Sequence, residues 1–227
     1  MDEARKTNAL RGAAFIRKYL SGRVIDIGAG NDLVCAHAEG FDRDDGDANV
    51  ITRFRKAGGY DAVHSSHCLE HMHDPASALA EWWSLVKPGG YLIVVVPDED
   101  LYEQGIWPSI FNRDHKTTFR LDKAQSWSAV SHDIRALVAA LPGCEVLSAE
   151  IQDAHYDYSL QMKHGDVRRK RTLWLRLGKS IGMRMPLVGR RLRIHFENLA
   201  ARRGVPLDQT ERDAVAQIQV VARKRSQ

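Results

Sequence analysis

Three things are scarce in this 227-residue chain, and each scarcity narrows what it can be. Cysteine occurs only at Cys35, Cys68 and Cys144, an odd, widely spaced set with no C-x-x-C pair. That argues against a disulfide framework and for a reducing, cytoplasmic setting. Long apolar runs are missing: the longest, Tyr91 to Val96 (YLIVVV), falls well short of the ~20 residues a membrane span needs. The opening MDEARKTNALRGAAFIRKYL starts acidic and turns amphipathic, without the apolar segment or small-residue cleavage site of a signal peptide. Repeats, low-complexity tracts and Gly/Ser/Pro-rich linkers are absent as well, so one domain is expected over residues 1–227.

What the chain does have is an uneven charge. Its formal net charge is only +4, yet residues 163–227 carry 17 Lys and Arg against 5 Asp and Glu, while residues 1–162 carry 16 against 24. An acidic body is followed by a basic section.

Periodicity over the first 150 residues alternates strand and helix. Strands are expected at Arg23–Ile27, Tyr60–His64 and Gly90–Val96, the last after a Pro88-Gly89-Gly90 turn. Asp74-Pro75 supplies an N-cap and first-turn proline for a helix carrying Ala78, Leu79, Trp82, Leu85 and Val86 at helical spacing. A helix across Ile134–Leu141 precedes a strand at Cys144–Ile151, and Ala214–Ala222 alternates as an edge or antiparallel strand would. This pattern implies a doubly wound α/β fold, mostly parallel, whose ligands sit beyond the carboxyl ends of the strands.

There the first strand runs into D-I-G-A-G, Asp26 to Gly30. Glycines at that point let backbone N–H groups approach a ligand, and the aspartate can orient the loop. A pyrophosphate-binding loop would want a third glycine where Leu33 stands, so the expected ligand lacks a pyrophosphate.

Five segments in order, VIDIGAG, GFDRDDGDA, YDAVHSSHCLEH, LVKPGGYLIVVVP and AQIQVVARK, resemble the class I S-adenosylmethionine-dependent methyltransferases over about residues 10–152 and 213–225. The resemblance implies a seven-stranded Rossmann-like sheet with S-adenosyl-L-methionine as cofactor. It puts the methionine portion at Asp26, Gly28, Ala29 and Gly30, the ribose on Asp42, and the adenine by Asp47 and Ala48, with Ser65, Ser66 and His67 flanking the cofactor. Asp44 and Asp45 compete with Asp42 for the ribose. One departure is that only Asn31 to Ala38 links the glycine loop to the second strand, which leaves room for a turn and not for a full helix.

The stretch HSSHCLEHMHDP, residues 64–75, also fits the H-x-x-E-H zinc pattern. A zinc protease would place it inside one continuous helix, whereas Tyr60–His64 reads as a strand and Pro75 restarts the chain. The expectation is therefore a cofactor loop, with no metal.

Residues 97–119 show neither period and read as an active-site loop. His115, beside Asp114, is the candidate general base and His71 the second; Tyr102, Glu103, Trp107 and Asn112 are candidate substrate contacts. Asp98 and Glu99 are an alternative holder of a divalent metal. The pieces Y-E-Q-x-x-W-P and N-x-D-H-K are similar to bacterial methyltransferases of polysaccharide and capsule biosynthesis, which implies a sugar, nucleotide-sugar or lipid-linked glycan acceptor, phosphorylated or not.

A basic helical insertion is expected over residues 154–208, before the last strand, with 13 basic and 2 acidic side chains between 163 and 203. Leu173, Leu177 and Ile181 would form one apolar face, with Trp174 beside it, and Leu192, Phe196 and Leu199 another. Arg168, Arg169, Arg190, Arg191 and Arg193 are then available to phosphate or an anionic membrane surface. The alternative class is a nucleic-acid or protein methyltransferase, or a non-catalytic binding protein, using that basic section.

Overall fold

The computed structural model describes residues 3–162 and 186–226. Its helices are α1 (Glu3–Leu10), α2 (Ala13–Tyr19), α3 (Pro75–Leu85), α4 (Ile134–Ala139) and α5 (Pro186–Ala201). Its strands are β1 (Val24–Ile27), β2 (Glu39–Phe41), β3 (Tyr60–Ser66), β4 (Val86–Pro97), β5 (Thr118–Arg120), β6 (Ser131–Asp133), β7 (Cys144–Gln152) and β8 (Gln217–Lys224).

The main sheet has the order β2-β1-β3-β4-β8-β7, with β2, β1, β3 and β4 parallel and β8 antiparallel to both of its neighbours. Helices cover both faces, so β1 and the body of β4 are apolar nearly without interruption, as parallel strands buried on two sides are. Alternation sorts the side chains. Ile25, Ile27 and Val63 join Trp82, Leu79 and Val138 of α3 and α4 in the larger core; Val24, Ala62, Ile93 and Val221 face Phe15, Ile16 and Tyr19 of α2 in the smaller. Asp74 caps α3 by accepting from the Ala76 and Ser77 amides, and Pro75 occupies its first turn. Trp82, Leu79 and Leu85 are fully buried, which stabilises by about 1.5–3 kcal/mol for each side chain.

Among the described residues the sheet is Rossmann-like with six strands of mixed orientation, where seven were expected. The chain between β2 and β3 makes a 3₁₀ helix, Ala48–Arg53, because Asp47 caps it through the Asn49 amide; no strand forms there. Asn31 to Ala38 makes turns alone, as its length requires. The last strand lies between β4 and β7, antiparallel but not at an edge. Residues 97–119 are not irregular throughout either: Asp98 caps a π-helical turn at Glu99–Glu103 and the segment ends in β5, paired in a small parallel sheet with β6.

Much of the basic insertion, including Arg168, Arg169, Leu173, Trp174, Leu177, Ile181 and the Arg190 and Arg191 side chains, lies outside what is described. In α5 the face expected to be apolar is turned outward at Leu192. Among its described side chains the buried positions are Glu197, Ala200 and Ala201. Glu197 takes an ion pair from Arg212 at 2.9 Å, and Arg193 lies 3.7 Å from its other oxygen, so Arg193 is engaged within the protein. Among the described residues no helix is long and apolar enough to cross a membrane.

Candidate active site

The carboxyl ends of β1, β2 and β3 open onto a cavity of about 780 Å³, of the size that takes a small molecule. Its walls come from the glycine loop (Gly28), the end of β2 and the turn after it (Phe41 to Arg43, Gly46 to Asn49), the segment after β3 (His67, Cys68, His71 to His73) and the 97–119 segment (Asp114, Lys116).

The glycine loop is held from behind. Asp26 is 2% exposed; its Oδ2 accepts the Val34 amide at 2.7 Å and its Oδ1 takes the Nδ1 proton of His64, its cross-strand partner, at 2.6 Å. Asp26 therefore orients the loop and does not face the cavity. Gly28 has φ of +76°, and a Cβ there would stand 2.7 Å from the Cys68 Cβ, so backbone and neighbour both require glycine. Gly30, at φ +54°, faces open space and donates its amide to Asp42 Oδ2 at 2.7 Å. Asp42 Oδ1 accepts the Arg43 amide, which leaves about half of the carboxylate's lone-pair directions for a ligand. Asp45 is consumed instead by the Asp42 amide and Arg55, and neither it nor Asp44 lines the cavity. Asp47 spends Oδ1 on Asn49 and keeps Oδ2, while the Ala48 carbonyl takes the Trp82 indole proton.

Of Ser65, Ser66 and His67, at the end of β3 and just past it, only His67 reaches the cavity wall. Ser65 is fully buried and Ser66 half-buried, both behind the lining. His67 has φ of +54° and places Nε2 2.9 Å from Gln217 Oε1.

His71 and His115, 44 positions apart in sequence, come together, their ring centroids 5.0 Å apart. The bond from the Lys116 amide to the Glu70 carbonyl brings their two segments side by side. The nearer to the cavity is His71, because His115 is 8% exposed and does not line it. His71 Nδ1 donates to the Asp114 carbonyl at 3.2 Å; His115 Nδ1 donates to Glu103 at 2.7 Å. Glu103 is thus a buried partner of His115, and not the substrate contact expected of it. Tyr102 packs its ring against His115 and Phe111, and Asn112 fixes a turn by accepting the Asp114 amide. Tyr102, Trp107 and Asn112 are half-buried and outside the cavity lining, which the segment enters through Asp114 and Lys116 instead. Those two were legible as the flanks of His115, but nothing local separates them from solvated charges. Asp98 and Glu99 are also placed away from the cavity: Asp98 caps the π-helical turn, and Glu99 is buried on Lys123, Ser126 and Ser131.

Between the two imidazoles lies Glu70, 1% exposed. Burial opposes its charge, but His67, His115 and His71 around it outweigh burial and hold the carboxyl below its usual range.

A parallel sheet closed by one antiparallel strand, with a glycine loop and a carboxylate at one cavity, is a doubly wound α/β fold with its ligand cavity beyond the carboxyl ends of the strands. The chain belongs to a family described as methyltransferase domain, which matches residues 1–150. It is an S-adenosylmethionine-dependent methyltransferase, and S-adenosylmethionine is its cofactor. No curated protein matches its sequence. Solved structures similar to it include an S-adenosylmethionine-dependent methyltransferase of Archaeoglobus fulgidus, 14% identical, covering 97% of this chain and 94% of that one with a TM-score of 0.49. The YcgJ protein of Bacillus subtilis is 13% identical over 99% and 98% at 0.47. A Haemonchus contortus phosphoethanolamine N-methyltransferase, solved with phosphomonomethylethanolamine and S-adenosylhomocysteine, is 11% identical over 97% and 53% at 0.46.

Proposed function

We propose that this enzyme methylates a hydroxyl of a small, hydroxyl-rich acceptor of the sugar, nucleotide-sugar or lipid-linked glycan kind. The observation that carries the reading is the make-up of the cavity beyond the glycine loop, where His71, His73, Asp114, Lys116 and Arg43 offer polar and cationic groups. Such a wall suits hydroxyls and phosphates better than an apolar acceptor.

The residues fit the cofactor. Gly28 and Gly30 keep the loop low enough for a ligand to approach the backbone, and the free directions on Asp42 match a vicinal diol. Asp47 Oδ2 suits an exocyclic amine. The cofactor, when bound, supplies a methyl group activated on a sulfonium. The protein's part is to align the acceptor oxygen with that methyl and to draw off its proton. Lys116 and Arg43 would orient an acceptor phosphate. The proton leaves at the Glu70–His71–His115 cluster, whose cavity-facing member is His71 and whose buried carboxylate stabilises positive charge next to it.

Calorimetric titration with S-adenosylhomocysteine tests the cofactor half: binding is expected, weakened by about 1–3 kcal/mol in Asp42→Ala, the usual loss of a charged hydrogen-bond partner. Equal affinity in the variant would remove Asp42 from the ribose role. The acceptor half is tested by screening nucleotide sugars and glycan lipids for methylated product by mass spectrometry. Methylation confined to apolar amines would defeat the glycan reading.

A further inference from the structure

We propose that Glu70, His71 and His115 form a binding site for one divalent transition-metal cation at the floor of the cavity. One ligand atom from each of the three lies within 4.8 Å of the others, the spacing of donors around a shared ion.

The tautomers point the same way. A carbonyl oxygen can only accept, so the contact of His71 Nδ1 with the Asp114 carbonyl puts the ring proton on Nδ1. Glu103 does the same for Nδ1 of His115. With Nδ1 occupied in this way, Nε2 is the ring atom of each histidine left to bind a cation, and these nitrogens lie 4.0 Å and 3.9 Å from Glu70 Oε1. An ion placed among these three atoms would be shared by two ring nitrogens and one carboxylate oxygen. Metal-binding histidines characteristically donate their second ring N–H to a carboxylate or carbonyl, which is what Glu103 and Asp114 accept here.

The second, independent observation is Glu70 itself. It is 1% exposed, yet neither of its carboxylate oxygens accepts a hydrogen bond. His67 Nδ1 at 3.6 Å and the two Nε2 atoms at 4.0 and 3.9 Å from Oε1 are beyond hydrogen-bond length. A buried carboxylate is normally saturated with hydrogen bonds or coordinated. Two imidazole nitrogens and one carboxylate oxygen suit zinc, iron(II), cobalt(II) or manganese(II) better than calcium or magnesium, which prefer oxygen alone. His71 lines the cavity, so the ion would be reached from the side where the acceptor enters. This refines the proton-handling part of the proposed function, since a cation there would acidify an acceptor hydroxyl directly; cofactor binding is left as it stands.

The test uses the full-length protein stripped with a chelator and titrated with cobalt(II), read by its visible absorption, and with zinc, read by calorimetry. One ion per chain is expected, with affinity lowered at least about tenfold in His71→Ala, His115→Ala and Glu70→Gln, and about 10–100-fold in Glu103→Gln, which acts through His115. His195→Ala, on the outer face of α5, should bind as the parent does. His71 is the most exposed of the three, so His71→Ala keeps the test open should the buried variants fail to fold. Absence of saturable binding, or equal affinity in His71→Ala, overturns the site and leaves the cluster to the imidazoles alone. S-adenosylhomocysteine titrated into the same samples separates this outcome from failure of the methyltransferase reading, because cofactor binding does not depend on the ion.

Discussion

Two buried carboxylate–histidine assemblies stand beyond and beneath the same strand, β3, and they are built oppositely. On the α2 face, Asp26 is bonded to His64, and His64 Nε2 accepts from Arg11 at 3.0 Å; Arg11 in turn donates twice to Gln219. Burial lowers the pKa of His64, so a neutral ring links a carboxylate to a guanidinium, whose own pKa burial pulls down to about 10. Every strong donor and acceptor in that chain is used. Past the carboxyl end of β3, the two carboxylate oxygens of Glu70 and the Nε2 atoms of His71 and His115 are not hydrogen-bonded to one another. A saturated network rigidifies the fold around it, whereas an unsaturated one of the same chemistry leaves buried polar atoms at a cost. The first assembly positions the glycine loop from behind, and the second meets whatever enters in front.

The comparison predicts unequal costs of breaking each. Asp26→Ala leaves the Arg11 cation buried beside an imidazole, and should lower unfolding free energy by about 3–5 kcal/mol, measured by urea denaturation at pH 7. A loss under about 1 kcal/mol would mean that the network is not what holds the loop.

Asp98 sharpens the contrast from another side, since it is buried with backbone amides for partners and has no cation among them. Burial pushes its carboxyl up to about 6, with the charges of Asp100 and Glu99 adding to the effect against the amides. A carboxyl raised on folding contributes stability below its unfolded value, lost as pH rises through the folded one. The stability of the parent should therefore fall between about pH 4 and 6 relative to Asp98→Asn, the gap settling at up to about 3 kcal/mol in favour of the variant above pH 7. Urea midpoints of the two proteins at pH 4 and 7.5 decide it; an unchanged gap would refute the assignment.

The smallest effect on stability is expected at His71. Its contacts with the half-exposed Asp114 are worth less than about 1 kcal/mol, so His71→Ala should unfold almost as the parent does. Methyl transfer, assayed with an accepted substrate, should nonetheless drop by about 10²–10⁴-fold. Loss of both together would make His71 a structural residue like His64.

Much of this was legible from local pattern. The strand–glycine turn at Asp26 to Gly30, the Asp74-Pro75 cap and the antiparallel last strand follow from rules acting over a few residues, and the short link at Asn31 to Ala38 left room for turns alone. The missing strand was not legible, because whether Ala48–Arg53 extends or coils depends on a cap at Asp47 and on Trp82 reaching the Ala48 carbonyl from α3. Nor was the burial of His115, since the period of the 97–119 segment does not reveal that Tyr102 and Glu103 close over it.

The sequence by itself determined the class of fold, the glycine loop after β1 and the carboxylates at the end of β2, because spacing along one strand and its following turn places those groups without help from afar. Which histidine faces the cavity, which carboxylate is saturated and which is not were decided only in three dimensions. They depend on residues dozens of positions apart, and the hydrogen bonds that pair Arg11 with His64, or Lys116 with Glu70, exist only once the sheet has brought both ends together.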